Sequence, residues 1–257
     1  MTNRIMAHLI AFYPDEDRSL DVARALIDGG AEYLELQFPF SEPTADGPAI
    51  QRACARALSL GFTLSAGFGL LSRICKLTEV PVFVMSYANP VYRRGVGEFI
   101  KRCLGAGARG LIVPDLPVDC DEGMYAAAAA AGIEAIPVVV PTVTRERLEL
   151  IKGLGTGYLY VALRKGITGA KTVIGEENLS FLSRVSRPGL KILAGFGISE
   201  RAQVEALAPK VHAVIVGSAF VDAADMDGGT GSPYPSVLAK IKSLVKGGGV
   251  PPGRLPA

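Results

Sequence analysis

The sequence predicts a single (β/α)8 barrel, a ring of eight parallel strands inside a ring of helices. Three observations lead there. Short apolar runs alternate with longer amphipathic stretches along the chain, and eight such runs occur. No proline-, glycine- or serine-rich linker divides the 257 residues. Apolar residues make up 49% of them, enough to bury one large core. A doubly wound open sheet is the main rival, but it usually has fewer strands or a second domain.

The elements are expected in this order. A strand at Ala7–Ala11 leads to a helix over Ser19–Asp28. The alternating run Tyr33–Phe38 is the second strand, and two helix patterns follow it, Pro48–Leu60 and Leu64–Leu77, divided by Gly61-Phe62-Thr63. The third strand, Val82–Ser86, precedes a helix at Val96–Leu104. The fourth, Gly110–Val113, precedes Glu122–Ala131, whose alanine run is helix-forming. The fifth, Ala135–Val140, is followed by Arg145–Gly153, and the sixth, Gly157–Leu163, by Glu177–Val185. Lys191–Ala194 and Ala213–Val216 are the last strands, with helices at Glu200–Ala206 and Pro235–Lys246. Residues 224–236 read as a surface loop. The barrel domain is expected over residues 1–246, with a disordered tail at 247–257.

Composition narrows the function classes. Formal net charge is only +2 and no basic block stands out, so a nucleic-acid or membrane-surface role has little support. Cys54, Cys75, Cys103 and Cys120 show no paired spacing, and only two histidines occur, His8 and His212. That argues against a disulfide framework or a zinc site and fits a reducing cytoplasm. No signal-peptide pattern opens the chain, and no uninterrupted apolar run is long enough to span a bilayer.

Two acids stand out. Strand side chains alternate between faces. In the second strand Leu34, Leu36 and Phe38 suit the helix-facing side, so Tyr33, Glu35 and Gln37 point into the barrel. A carboxyl inside a barrel loses hydration, which suits it to exchange a proton near neutrality. The competing reading is a core acid paired with a lysine or arginine from another strand. Asp46, in Ala45-Asp46-Gly47-Pro48, either caps the helix that starts at Pro48 or faces the barrel mouth beside Glu35.

Two glycine turns follow the seventh and eighth strands, Gly195-Phe196-Gly197-Ile198-Ser199 and Val216-Gly217-Ser218-Ala219. Glycine lets the backbone approach an anion, and each turn leads towards a helix N-terminus. Loops after these strands are the usual phosphate site of the barrel, so a phosphorylated substrate is expected. The basic loop Arg164–Thr172 has two glycines and reads as a lid or as a solvated surface loop. Tyr158 and Tyr160 share a strand face and line either a pocket or the core. His8 and His212 have no partner spacing that marks a ligand or a base.

These residues together resemble the alpha chain of tryptophan synthase. The resemblance runs through Leu34-Glu35-Leu36, Pro39-Phe40-Ser41, Ala45–Ala53, Met85–Pro90, Gly110–Pro117, Gly166–Ala170, Gly195–Ser199 and Val214–Ala219. It implies a TIM barrel that cleaves indole-3-glycerol phosphate to indole and glyceraldehyde 3-phosphate, a retro-aldol in tryptophan biosynthesis. It implies no cofactor on this chain and a pyridoxal-phosphate beta chain as partner, in an α2β2 tetramer. By position Glu35 is the proton shuttle, Asp46 the carboxylate that holds the indole N–H, and Tyr160 the active-site tyrosine. Thr168 would order Asp46 when the lid closes. Gly169, Phe196, Gly197, Gly217 and Ser218 match the phosphate-binding positions. Tyr87, Ile112 and Val139 would form the apolar indole slot. The loop from Pro39 to Pro48, with Asn89 and Pro117, would form the docking face.

Some positions depart from the family pattern. Gln37 and Phe12 stand where glycine is usual, and His8 where an aromatic is usual; the Gln37 amide is expected to crowd the indole or to bond Glu35. Glu42 and Thr44 replace a usual Asp and Leu. The chain begins almost at the first strand, so the helix that usually plugs the barrel base is expected to be missing. These departures leave two rivals. One is a mainly regulatory subunit with weak lyase activity, and the other is a different phosphate-binding barrel aldolase or isomerase.

Overall fold

The computed structural model describes residues 3–163, 174–225 and 231–245. The expected lid with Thr168 and Gly169, and the expected tail at 247–257, lie outside the described residues. Among the described residues, nine strands form one parallel sheet. They are β1 Ile5–Ile10, β2 Tyr33–Gln37, β3 Val82–Met85, β4 Gly110–Ile112, β5 Glu134–Ile136, β6 Val138–Val139, β7 Tyr158–Ala162, β8 Lys191–Gly195 and β9 Ala213–Val216. The helices are α1 Glu16–Asp28, α2 Pro48–Ser59, α3 Leu64–Cys75, α4 Ala88–Arg94, α5 Val96–Gly105, α6 Met124–Ala131, α7 Arg145–Gly153, α8 Glu176–Val185, α9 Arg201–Leu207, α10 Ser218–Ala224 and α11 Tyr234–Leu244.

The strands pair in the order β5-β4-β3-β2-β1-β9-β8-β7-β6. The two ends of that series, β5 and β6, are halves of one run separated by Pro137. Proline has no N–H for a ladder, so the expected fifth strand is split in two there. The Pro137 carbonyl still accepts from Tyr160 N at 3.0 Å, and the ring closes through this break. Two helices, α4 and α10, were not expected. Each has seven residues.

Local chemistry explains where helices begin. Asp15, Thr63 and Thr144 accept a first-turn N–H at the starts of α1, α3 and α7. Pro48 opens α2, where its missing N–H is harmless. The helix-facing side of β2 anchors the outer core. Leu34 and Leu36 are fully buried, and the Phe38 ring lies 5.3 Å from Phe68 and 5.8 Å from Phe62. Phe12, where glycine was noted as usual, sits at φ 66°, a left-handed conformation that costs a non-glycine residue energy. Its ring packs edge-on against Phe62 at 5.4 Å.

The inner face is a second, separate core. At the N-terminal end of the barrel the rings of Tyr33, Phe83, Tyr158 and His212 lie within 5.5–6.4 Å of one another in several pairs. Tyr33 Oη meets His212 Nε2 at 2.7 Å, and Lys191 Nζ sits 4.8 Å from the centre of the Tyr158 ring. Tyr158 therefore fills the barrel base, away from the mouth. Close approach also governs Gly195, at the C-terminal end of β8. A Cβ there would lie 2.3 Å from the Ile215 carbonyl oxygen, which the sheet holds in place. Gly195→Ala is expected to destabilise the chain by about 1–3 kcal/mol, as overpacking does, and a lowered Tm checks it.

Candidate active site

The register of the first two strands brings the site together. His8 pairs with Glu35 and Ile10 with Gln37. His8, Glu35 and Gln37 are buried, at 5%, 1% and 0% exposure, and the first two reach a cavity of about 270 Å³ at the C-terminal ends of the strands. Its walls are largely apolar, with Ile50, Met85, Ile112, Val138, Val140 and Ile215. Asp46, Tyr160, Phe196, Gly197, Gly217 and Ser218 also line it.

Asp46 is not the helix cap. Gly47 holds that position, and no side chain caps α2. Asp46 instead turns inward, 4% exposed, and its Oδ2 accepts from Gln37 Nε2 and from Tyr87 Oη, each at 2.8 Å. The Gln37 amide therefore bonds Asp46 and not Glu35. Gln51 Nε2 fixes the Asp46 backbone carbonyl at 2.7 Å. Burial raises the Asp46 pKa, against the opposing pull of His8, Gln37 and Tyr87. Tyr87 lies behind Asp46, fully buried, and acts as its donor and not as a wall of the cavity. Burial, and then the Asp46 charge, push its phenol up, so it keeps its proton.

Glu35 faces the same cavity from β2. Its Oε2 lies 3.3 Å from His8 Nδ1, an ion-pair distance, and among the described residues has no hydrogen-bond partner. Burial favours the neutral imidazole, but Glu35, and then Asp46 and Gln37, outweigh it, and the His8 pKa is raised. The Tyr160 phenol is pushed well up by burial and then by Glu35 and Asp46, so it is a hydrogen-bond donor across the cavity.

The two glycine turns also contribute to the lining of this cavity. Phe196, at φ 143°, is a strained non-glycine residue, and Gly197, at φ 69°, takes a left-handed conformation that glycine adopts freely; both follow β8. Gly217 caps α10, whose first N–H groups have no acceptor within the helix. Glu35, Asp46, Tyr160, Ile112, Phe196, Gly197, Gly217 and Ser218 thus share one cavity. Val139 does not. It packs in the outer core with Ala135, because strand side chains alternate and Ile136, Val138 and Val140 hold the inward parity. Sequence reasoning also passed over His8. The available signal was parity: Met6 on the same strand belongs to the inner core, so His8, two residues on, points inward as well.

Comparison with known proteins is consistent along the chain. The family model described as tryptophan synthase alpha chain matches residues 2–232. A tryptophan synthase alpha chain of Carboxydothermus hydrogenoformans is 39% identical over 219 residues, 85% of this chain and 82% of that one. Among solved structures, one described as the tryptophan synthase a2b2 complex of Pyrococcus furiosus matches with a TM-score of 0.85 at 32% identity, covering 95% of this chain and 98% of that one. A Mycobacterium tuberculosis tryptophan synthase structure matches with a TM-score of 0.83 at 32% identity, covering 94% and 91%.

Proposed function

The chain belongs to the tryptophan synthase alpha chain family, a carbon–carbon lyase family of tryptophan biosynthesis, and from that premise we propose how its residues divide the work. The family reaction splits indole-3-glycerol phosphate into indole and glyceraldehyde 3-phosphate. A proton must reach the indole carbon that carries the side chain. A base must take the proton of the adjacent hydroxyl. Positive charge develops on the ring nitrogen between these events.

Glu35 is the proton shuttle in this reading, and Asp46 meets the ring N–H and its developing charge. Two carboxylates on one largely apolar cavity, ending in two glycine turns, are the observation that carries it. Ile112, Val138 and Val140 hold the flat ring. The backbone at Phe196, Gly197, Gly217 and Ser218 takes the phosphate; Thr168 and Gly169, which the family pattern adds, lie outside the described residues. A dianion held by N–H groups needs little side-chain charge, which fits a net charge of +2. Tyr160 donates to the substrate from β7.

The reaction needs no cofactor on this chain, and pyridoxal phosphate belongs to the beta chain in an α2β2 assembly. The exposed residues Glu42, Thr44, Asn89 and Pro117 lie in segments that follow β2, β3 and β4, on the side that would meet this partner. One barrel domain spans residues 1–246. Among the described residues no single helix is long and apolar enough to cross a membrane, and a cytoplasmic setting suits the reading.

Titration of the full chain with indole-3-glycerol phosphate, with and without a beta chain, tests the proposal by indole release. Activation of the beta chain without any indole release would mark a regulatory subunit instead. That outcome has one structural motive, since Gln37 already occupies Asp46 Oδ2. Tyr87→Phe removes the other donor to that oxygen. A hydrogen bond to an ionised group contributes about 1.5–3 kcal/mol, so kcat/KM is expected to fall about tenfold or more. Steady-state kinetics of the variant check it.

A further inference from the structure

We propose that His8 is a positioning residue for the proton transfer: it and Glu35 hold one proton between them, which keeps the carboxyl ready to give a proton to the ring and take one from the hydroxyl. This rests on the lyase reading above and adds a group to it. The first observation is register, which sets His8 on β1 directly beside Glu35 on β2. The second is distance, 3.3 Å from Nδ1 to Oε2, with the side chains only 6% and 2% exposed. The third is that, among the described residues, neither Glu35 Oε2 nor His8 Nε2 has a hydrogen-bond partner, although both are buried. Unpaired polar atoms in such surroundings are costly, so the pair is built for a proton and a substrate to complete it.

The environment favours sharing. A buried ion pair loses hydration, which brings the charged arrangement and the neutral one close in energy. The groups that bear on His8 are Glu35 and Gln37 from β2 and Asp46 from the loop after it. The turn between β9 and α10 presents uncharged Gly217 against the imidazole. Tyr160 lines the opposite side as a phenol.

The proton count closes. Glu35 as the acid gives its proton to the ring carbon. The resulting carboxylate takes the proton of the adjacent hydroxyl. The O–H electron pair becomes the carbonyl bond, the breaking C–C pair returns to the ring, and indole and aldehyde separate. One proton leaves the pair and one returns. In the resting enzyme His8 Nδ1 is the alternative seat of that proton.

The test follows indole release by the full chain in single turnover across pH, with the beta chain present, for wild type and His8→Gln. Two bases that share a proton hold it more tightly than either base alone, so His8→Gln is expected to move the basic limb to lower pH, by about one unit or more. Ring-nitrogen NMR provides an arm that needs no His8 variant, and the chain has only two histidines to assign. His8 is expected to titrate above 6.5 in wild type and lower in Glu35→Gln. Superimposable pH profiles from an active wild type, or a His8 titration indifferent to Glu35→Gln, overturn the proposal. A wild type that releases no indole at any pH overturns the lyase reading instead, and the NMR arm still decides the role of His8.

Discussion

Glu35→Gln is expected to lower indole release by about 10²–10⁴-fold, the usual contribution of a general acid–base group. The amide keeps the shape of the side chain and can still meet His8, so the cavity and the fold survive. What it cannot do is give a proton to the ring and receive one from the hydroxyl. Substrate binding depends on the apolar slot and the phosphate turns, so the loss should fall on kcat and leave KM nearly unchanged. Kinetics with the beta chain present, alongside thermal unfolding to confirm the fold, are the measurements. Activity near wild type would end the assignment.

Asp46→Asn is the second large effect, expected at about 10²–10³-fold in kcat, the scale of losing one preorganised electrostatic contact. Here the cause is charge and not proton transfer. Gln37 and Tyr87 both donate to Oδ2, so these two side chains orient the carboxylate. An asparagine keeps one acceptor oxygen but no longer opposes a positive ring nitrogen. It also removes one of the charges that raise the His8 pKa, so the His8 titration should fall along with kcat. A variant whose rate falls less than that of Tyr87→Phe would place the charge stabilisation elsewhere.

Much of this site was legible in linear order, for reasons particular residues make plain. Glu35 was readable because a strand has period two and Leu34, Leu36 and Phe38 could only face the helices. The turns at Gly197 and Gly217 were readable because strand ends and glycine lie in the sequence itself. Asp46 was not settled, since a turn acid ahead of a proline is equally at home as a cap. Its inward role depends on Tyr87, 41 positions away, and on Gln37, nine away. Val139 was misplaced by one residue although period two runs unbroken through Pro137, with Ile136, Val138 and Val140 inward and Ala135 and Val139 outward.

The order of apolar and polar residues determined that this chain makes strands and helices in alternation, and which side of each strand is buried. Local periodicity and turn chemistry suffice for that, since they act between residues a few positions apart. Which strands lie side by side, and in what register, was decided only in three dimensions. That choice set an imidazole from β1 against a carboxylate from β2, and an amide and a phenol on one oxygen of Asp46. Contacts of this kind join distant segments, and they form only when closure of the barrel excludes water, so that a buried polar group gains most from a partner within the protein.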